Sequence, residues 1–254
     1  MPIPANPPEL IISLSSDRVR LQLPEQQENG KPAWTSSFPV KGIFADDQIS
    51  NALDAALAQN PSLMDQFKDV AILVVDRPNV CIPQFYADQD KLPEIAGRYL
   101  KVRVGDTLSA DSIPGDTVVA YSVPAGTINV LREYYAGADH LHLTSVLWTA
   151  IHQLVTPSGT DSSRLFFLTT GNTLLIIGET AGKLTFSRSF FVQDQSDIAY
   201  YALACSRMLK PTEHWLLTIK DERSSLAFPK DEYFNLHHQL ELPELHTLIA
   251  RHRS

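Results

Sequence analysis

The sequence predicts an α/β fold, α+β in the grouping of its elements, built as two similar lobes of βββαβ type with mixed sheets flanked by helices. Three observations predict it. Residues 70–75 and 118–123 are continuous apolar runs rich in β-branched side chains, the pattern of strands covered on both faces. Ile49, Leu53, Ala56 and Leu57 form one stripe at helical spacing, and Ile198, Tyr201, Ala202, Cys205, Met208 and Leu209 form another. Residues 11–23 match residues 165–177 without a gap, which sets Ser15 and Ser16 opposite Thr169 and Thr170.

The elements follow in order. Residues 10–14, the turn formers Ser15, Ser16 and Asp17, and the alternation of Val19, Leu21 and Leu23 with Arg18, Arg20 and Gln22 read as a β-hairpin. A polar loop over 24–32 leads to a third strand over 37–44. Asp46 or Asp47 is positioned to cap the first helix, which Asn60 and Pro61 stop. The strand at 70–75 closes the first βββαβ set. The middle of the chain offers a short extended segment at 80–83, an acidic helix over 87–100, and a turn region rich in Gly and Asp ending at Asp116. After the strand at 118–123, Pro124 opens a helix with Ile128, Leu131 and Tyr135 on one face. Leu141 and Leu143 mark a short strand, and Thr144 or Ser145 caps a helix that buries Val146, Leu147, Ile151 and Leu154. Residues 156–163, with Pro, Ser, Gly and Asp, read as the lobe boundary.

Beyond it the opening pattern returns, with strands at 165–168, 174–177 and 184–190, a helix capped by Asp194 and ended by Lys210 and Pro211, and a strand at 215–219. The expected organisation is a first lobe over residues 1–160, carrying a middle insertion, and a second over 161–254. The tail after Phe228 matches no pattern.

At 254 residues and 44% hydrophobic, the chain has ample material for a core. Lys and Arg total 21 against 29 for Asp and Glu, and no basic stripe is present, so no nucleic acid is expected as a partner. Cys81 and Cys205 are isolated and flanked by apolar residues, which argues against a disulfide framework and for a reducing, cytoplasmic location. Residues 1–8 lack the features of a leader, and no apolar window is long enough for direct membrane insertion.

The hydroxyl-bearing hairpin at Ser15 and Ser16, the Val80-Cys81-Ile82-Pro83-Gln84-Phe85 stretch, the 118–124 strand leading into a helix, and the meander, long helix and Trp215 strand of 165–219 together carry a family likeness. In these features the chain resembles the actin-like ATPase superfamily, and in detail the uncharacterised Bacteroidetes family DUF3822, over roughly residues 9–220. More distantly it is similar to the cytoplasmic actin-like components of type IV pilus and type II secretion assemblies. The resemblance implies a two-lobed fold with a cleft that, in actin-like enzymes, holds ATP and magnesium between two hairpin turns.

The parts that would do so here are altered. Phosphate cradling needs backbone amides in close approach, which glycine permits, and a carboxylate to hold the hydrated metal. The first turn, Ser15-Ser16-Asp17, has no glycine. The second, Thr169-Thr170-Gly171-Asn172, has one glycine and no Asp. Where a glycine pair is expected after Ile219, the sequence reads Lys220, Asp221, Glu222, Arg223. ATP and magnesium are therefore disfavoured, and Ser15, Ser16, Thr169, Thr170 and Gly171 are weak cofactor-binding candidates, equally explained as polar turn residues.

No catalytic or metal site is assigned. His140 with His142, and His237 with His238, lack acidic or Cys partners at metal spacing, and the common hydrolase, protease, P-loop and dinucleotide motifs are absent. The adjacent aromatic pairs Tyr134–Tyr135, Phe190–Phe191 and Tyr200–Tyr201 each send one ring away from the face of its neighbour, into a lobe junction or toward a partner. The reading is a non-catalytic interaction or assembly module with an unidentified protein partner, a homodimer among the options. The alternative is a divergent ATP-binding enzyme, an ATPase or phosphotransferase, using the inter-lobe cleft.

Overall fold

A computed structural model describes residues 8–24, 34–40, 45–63, 67–87, 91–156, 159–220, 226–229 and 236–254. Two five-stranded sheets of identical topology dominate it, with a third, three-stranded sheet beside them.

In the first sheet β1 (Leu10–Leu14) pairs antiparallel with β2 (Arg18–Leu23), which pairs with β3 (Trp34–Pro39). After α1 (Ala45–Gln59), β4 (Val70–Val74) lies parallel to β1. The third strand thus starts earlier than its apolar content suggested, because pairing with β2 recruits Trp34 to Ser36; residues 41–44 lie outside the described set. Asp46 and Asp47 fall inside the first turn of α1, and their side chains also lie outside it.

The middle segment contains β5 (Asn79–Pro83), a short α2 (Leu92–Gly97), β6 (Thr107–Ile113), β7 (Thr117–Val123) and α3 (Ala125–Tyr134). Two expectations are corrected here. The acidic helix is limited to six residues, and the region before Asp116 holds the strand β6. Its Ser, Asp and Thr content hides a strand whose pairing with β7 supplies the hydrogen bonds. Next β8 (Asp139–His142) adds a fifth, parallel strand beside β4, and α4 (Leu143–Leu154) follows at once.

The second sheet repeats this plan with β9 (Ser163–Thr170), β10 (Thr173–Thr180), β11 (Lys183–Phe191), α5 (Gln195–Leu209) and β12 (Glu213–Ile219). Asp194 caps α5 as expected, accepting from the Ser196 and Asp197 amides, and Lys210 ends it in the left-handed region at φ 51°. The unmatched tail supplies β13 (His238–Leu242), parallel to β12, and α6 (Leu245–Arg253). Each sheet therefore carries a fifth strand followed by a helix.

The layers explain the apolar runs. Leu10, Ile12 and Leu14 point outward against α1 and α3, while Ile11 and Leu73 point inward, where α4 and α6 fill the space between the sheets. In the second sheet Leu165 and Phe167 meet α5, and Phe166 and Leu168 meet the same central helices. A strand with both faces covered has no polar face to show. No described helix is long and apolar enough to cross a membrane.

Candidate functional site

At the hairpin ends of the two sheets a cleft opens over the first residues of α4 and α6. Ser13, Ser15, Asp17, Arg18 and Arg20 line it from the first sheet, Thr170 and Gly171 from the second, and Leu73, Val75, Leu143, Ile219 and Leu245 from below. Its enclosed part measures about 30 Å³, the room of one water molecule, within a depression of about 470 Å³ that includes open solvent. The enclosed figure is the one that bears on a bound molecule, and ligand sites typically offer roughly 300–1,000 Å³.

Side chains of the protein account for the missing space. The Ser16 amide donates to both carboxylate oxygens of Asp76, at 3.0 and 2.9 Å, and the Ser16 hydroxyl donates to Oδ2 at 2.5 Å. A turn amide of this kind is a ready anion site, and here its anion is Asp76. Burial pushes the Asp76 carboxyl above its ordinary range against the Ser16 hydrogen bonds. The Ser15 hydroxyl donates to Asp17 at 2.6 Å, and Arg18 pairs with the same carboxylate at 2.7 Å. Burial opposes ionisation of Asp17, but Arg18 and Ser15 outweigh it and hold the group below its usual range.

Arg18 also spans the cleft. A Cβ placed on Gly171, whose φ is +53°, would lie 3.0 Å from Arg18 Nη2, so the guanidinium rests against the opposite turn. The left-handed backbone favours glycine here, and its missing side chain leaves room for the guanidinium.

Of the five candidates from sequence, Ser15, Thr170 and Gly171 line the cleft, while Ser16 is turned to Asp76. Thr169 is not in it. Strand alternation places it on the outer face with Phe167, its hydroxyl 3.5 Å from the Leu226 carbonyl. The gapless match also slips by one residue at the turns: the first hairpin folds about Ser16 and Asp17, the second about Gly171 and Asn172. Asp221 to Arg223 lie outside the described residues. Asp76, Arg18 and Arg20 were missed; a carboxylate just past the strand at 70–75 was the only available signal.

A second polar cluster joins the three sheets. His142 is fully buried and caps α4: its Nδ1 accepts from the Thr144 amide at 3.1 Å, so the proton sits on Nε2, which donates to the Arg77 carbonyl at 3.0 Å. The expected cap, Thr144 or Ser145, thus lies two or three residues too late. Burial drives the His142 pKa down to about 4, as the positive end of a helix also favours. Asp111 accepts from the His142 amide at 2.7 Å. Its Oδ1 is 3.1 Å from the Tyr121 hydroxyl, which is itself 2.9 Å from the His140 carbonyl. One phenolic proton cannot serve both oxygens; both contacts are satisfied when Asp111 keeps its proton, in line with burial raising its pKa to about 6. Thr144 and Ser187 hydroxyls, 2.7 Å apart, tie α4 to β11.

The remaining candidates resolve as structure. His237 stacks on His214 and His238 on Trp215, and among the described residues no group of three or more His, Cys, Asp or Glu could hold a metal ion. Burial pushes the Cys81 thiol up to about 12, far from a thiolate nucleophile.

A family model described as protein of unknown function DUF3822 matches residues 3–213. The chain belongs to this family. No curated protein matches it. A DUF3822 chain of this kind has the actin-like ATPase fold: a Bacteroides thetaiotaomicron VPI-5482 protein with actin-like ATPase fold and unknown function is 17% identical, with 85% of this chain and 84% of that one covered at a TM-score of 0.66. An exopolyphosphatase from Cytophaga hutchinsonii ATCC 33406 is 10% identical, covering 82% and 66% at a TM-score of 0.40. An inorganic polyphosphate/ATP-glucomannokinase from Arthrobacter sp. strain KM is 8% identical, covering 98% of each chain at a TM-score of 0.46. Likeness at that level carries nothing about the cleft.

Proposed function

We propose that this DUF3822 protein is a non-catalytic interaction or assembly module whose inter-lobe cleft is closed by its own side chains. One observation carries the reading: the Ser16 amide and hydroxyl, which would meet a phosphate, are taken by Asp76. The enclosed space of about 30 Å³ and the Arg18 guanidinium against Gly171 support it. A nucleoside triphosphate would meet neither the Ser16 donors nor sufficient room in this arrangement.

A second reading, a divergent ATP-binding enzyme of ATPase or phosphotransferase type, draws on Arg18, Arg20 and the hydroxyls of Ser13, Ser15 and Thr170 around the same cleft. Isothermal titration of the full chain with ATP and magnesium separates the two. No heat up to millimolar nucleotide is the expected result, whereas micromolar binding followed by phosphate release establishes the enzyme.

A further inference from the structure

Helix α5 carries an apolar stripe that its own lobe leaves uncovered. Tyr200 and Met208 are 68% and 66% exposed, and Ala204, also exposed, lies midway between them. Spacing of i, i+4 and i+8 puts the three on one face. Tyr200 is already held in place: its ring meets Tyr201 edge-on at 5.2 Å, and Tyr201 stacks on Phe190 at 4.2 Å. An exposed aromatic fixed in this way has little rotamer freedom left to lose on binding.

The charges of the same helix are sorted by end. Asp194 and Asp197 lie at its start, and Arg207 and Lys210 at its finish. Such a helix is complementary to a reversed copy of itself and repels a parallel one. We propose that the outer face of α5 docks a second copy of this chain, the two helices crossing antiparallel about a two-fold axis at Ala204.

That axis sets Tyr200 against the partner subunit's Met208, and the reverse, an aromatic and thioether contact made twice. Arg207 and Lys210 run beside the partner subunit's Asp197. Alanine at the crossing lets the helix axes approach to about 8–10 Å. A 15-residue helix is about 22 Å long, so this surface is small beside a standard interface, and the dimer is weak and concentration-dependent. The inference rests on the assembly role proposed above but uses none of the cleft residues, so an ATP titration that overturns the closed cleft leaves this dimer standing or falling by itself.

Sedimentation velocity on the full chain from about 1 µM to about 1 mM reads the association, with a reversible monomer–dimer equilibrium expected. Two variants then identify the surface. Arg207→Glu with Lys210→Glu makes both ends of α5 acidic, and Asp197→Lys puts a cation where the partner subunit's Arg207 and Lys210 approach. Each is expected to self-associate about ten-fold or more weakly than the wild type, while an equimolar mixture restores wild-type association, because only the mixed pair matches opposite charges at both ends. Tyr200→Ser with Met208→Ser, which leaves the helix caps intact, is expected to abolish the dimer while the chain stays folded with an unchanged circular dichroism spectrum, at the small cost of the Tyr200–Tyr201 contact. A monomer at every concentration, a dimer indifferent to these changes, or a mixture no tighter than its parts overturns the proposal.

Discussion

The first hairpin turn is crowded with side-chain bonds: Ser15 to Asp17, Ser16 to Asp76, and Asp17 to Arg18. Its counterpart in the second sheet is a two-residue turn of Gly171 and Asn172, where a glycine without a side chain lets Arg18 lie against the backbone. Two sheets with the same strand order thus end in turns of opposite character. Topology fixed where the turns sit, and turn chemistry decided that one would fill the cleft and the other would make room.

The comparison breaks most visibly at the outer core. Ile12 and Phe167 occupy equivalent inner-strand positions, each fully buried against an outer helix. Phe167→Ala is expected to cost about 3–5 kcal/mol and Ile12→Ala about 2–5 kcal/mol by urea denaturation. A single transition in both variants would show the sheets unfolding as one unit, as their shared central core requires; separate transitions would show independent lobes.

The junction between the sheets offers a pH test of nearly the same size. Asp111, raised from 3.8 to about 6, binds more protons when folded, so its contribution falls as pH rises from about 4 to 6. His142, lowered from 6.5 to about 4, binds fewer, so its contribution grows over about pH 4 to 6.5. Each is of order 3 kcal/mol, about 1.4 per pKa unit, and the signs oppose. Asp111→Asn removes the first alone, so the variant should gain stability from pH 4 to 6.5 more steeply than the wild type; parallel stability curves would count against this pairing.

At the turns themselves, Asp76→Ala leaves the half-buried Ser16 donors without their carboxylate and is expected to cost about 1–3 kcal/mol, with Asp76→Asn recovering part of it. Smallest is Gly171→Ala, about 1 kcal/mol from the left-handed backbone, since the terminal Arg18 guanidinium can shift. Equal losses for Asp76→Ala and Gly171→Ala would remove the asymmetry between the two turns.

Much of this was legible in the residues. Strands covered on both faces show as unbroken apolar runs, and the α1 stripe, the α5 stripe apart from Met208, which is exposed, and the Asp194 cap are local patterns that any window of the chain reveals. Strand β6 was hidden because Ser, Asp and Thr show no strand periodicity, and β13 because it is an edge strand with one buried residue of five. The His142 cap was hidden because its imidazole resembles no usual capping side chain.

By itself the sequence determined the order of elements in the two βββαβ sets, the duplicated plan and the absence of glycine from the first turn, all read from local patterns along the chain. Only the tertiary structure decided what closes the cleft. Asp76 reaches Ser16 because β1 and β4 pair in parallel with Leu14 beside Val74, and Arg18 reaches Gly171 because two sheets face each other across the central helices. Contacts between residues 60 or more apart depend on sheet register and layer packing, and local periodicity carries no record of either.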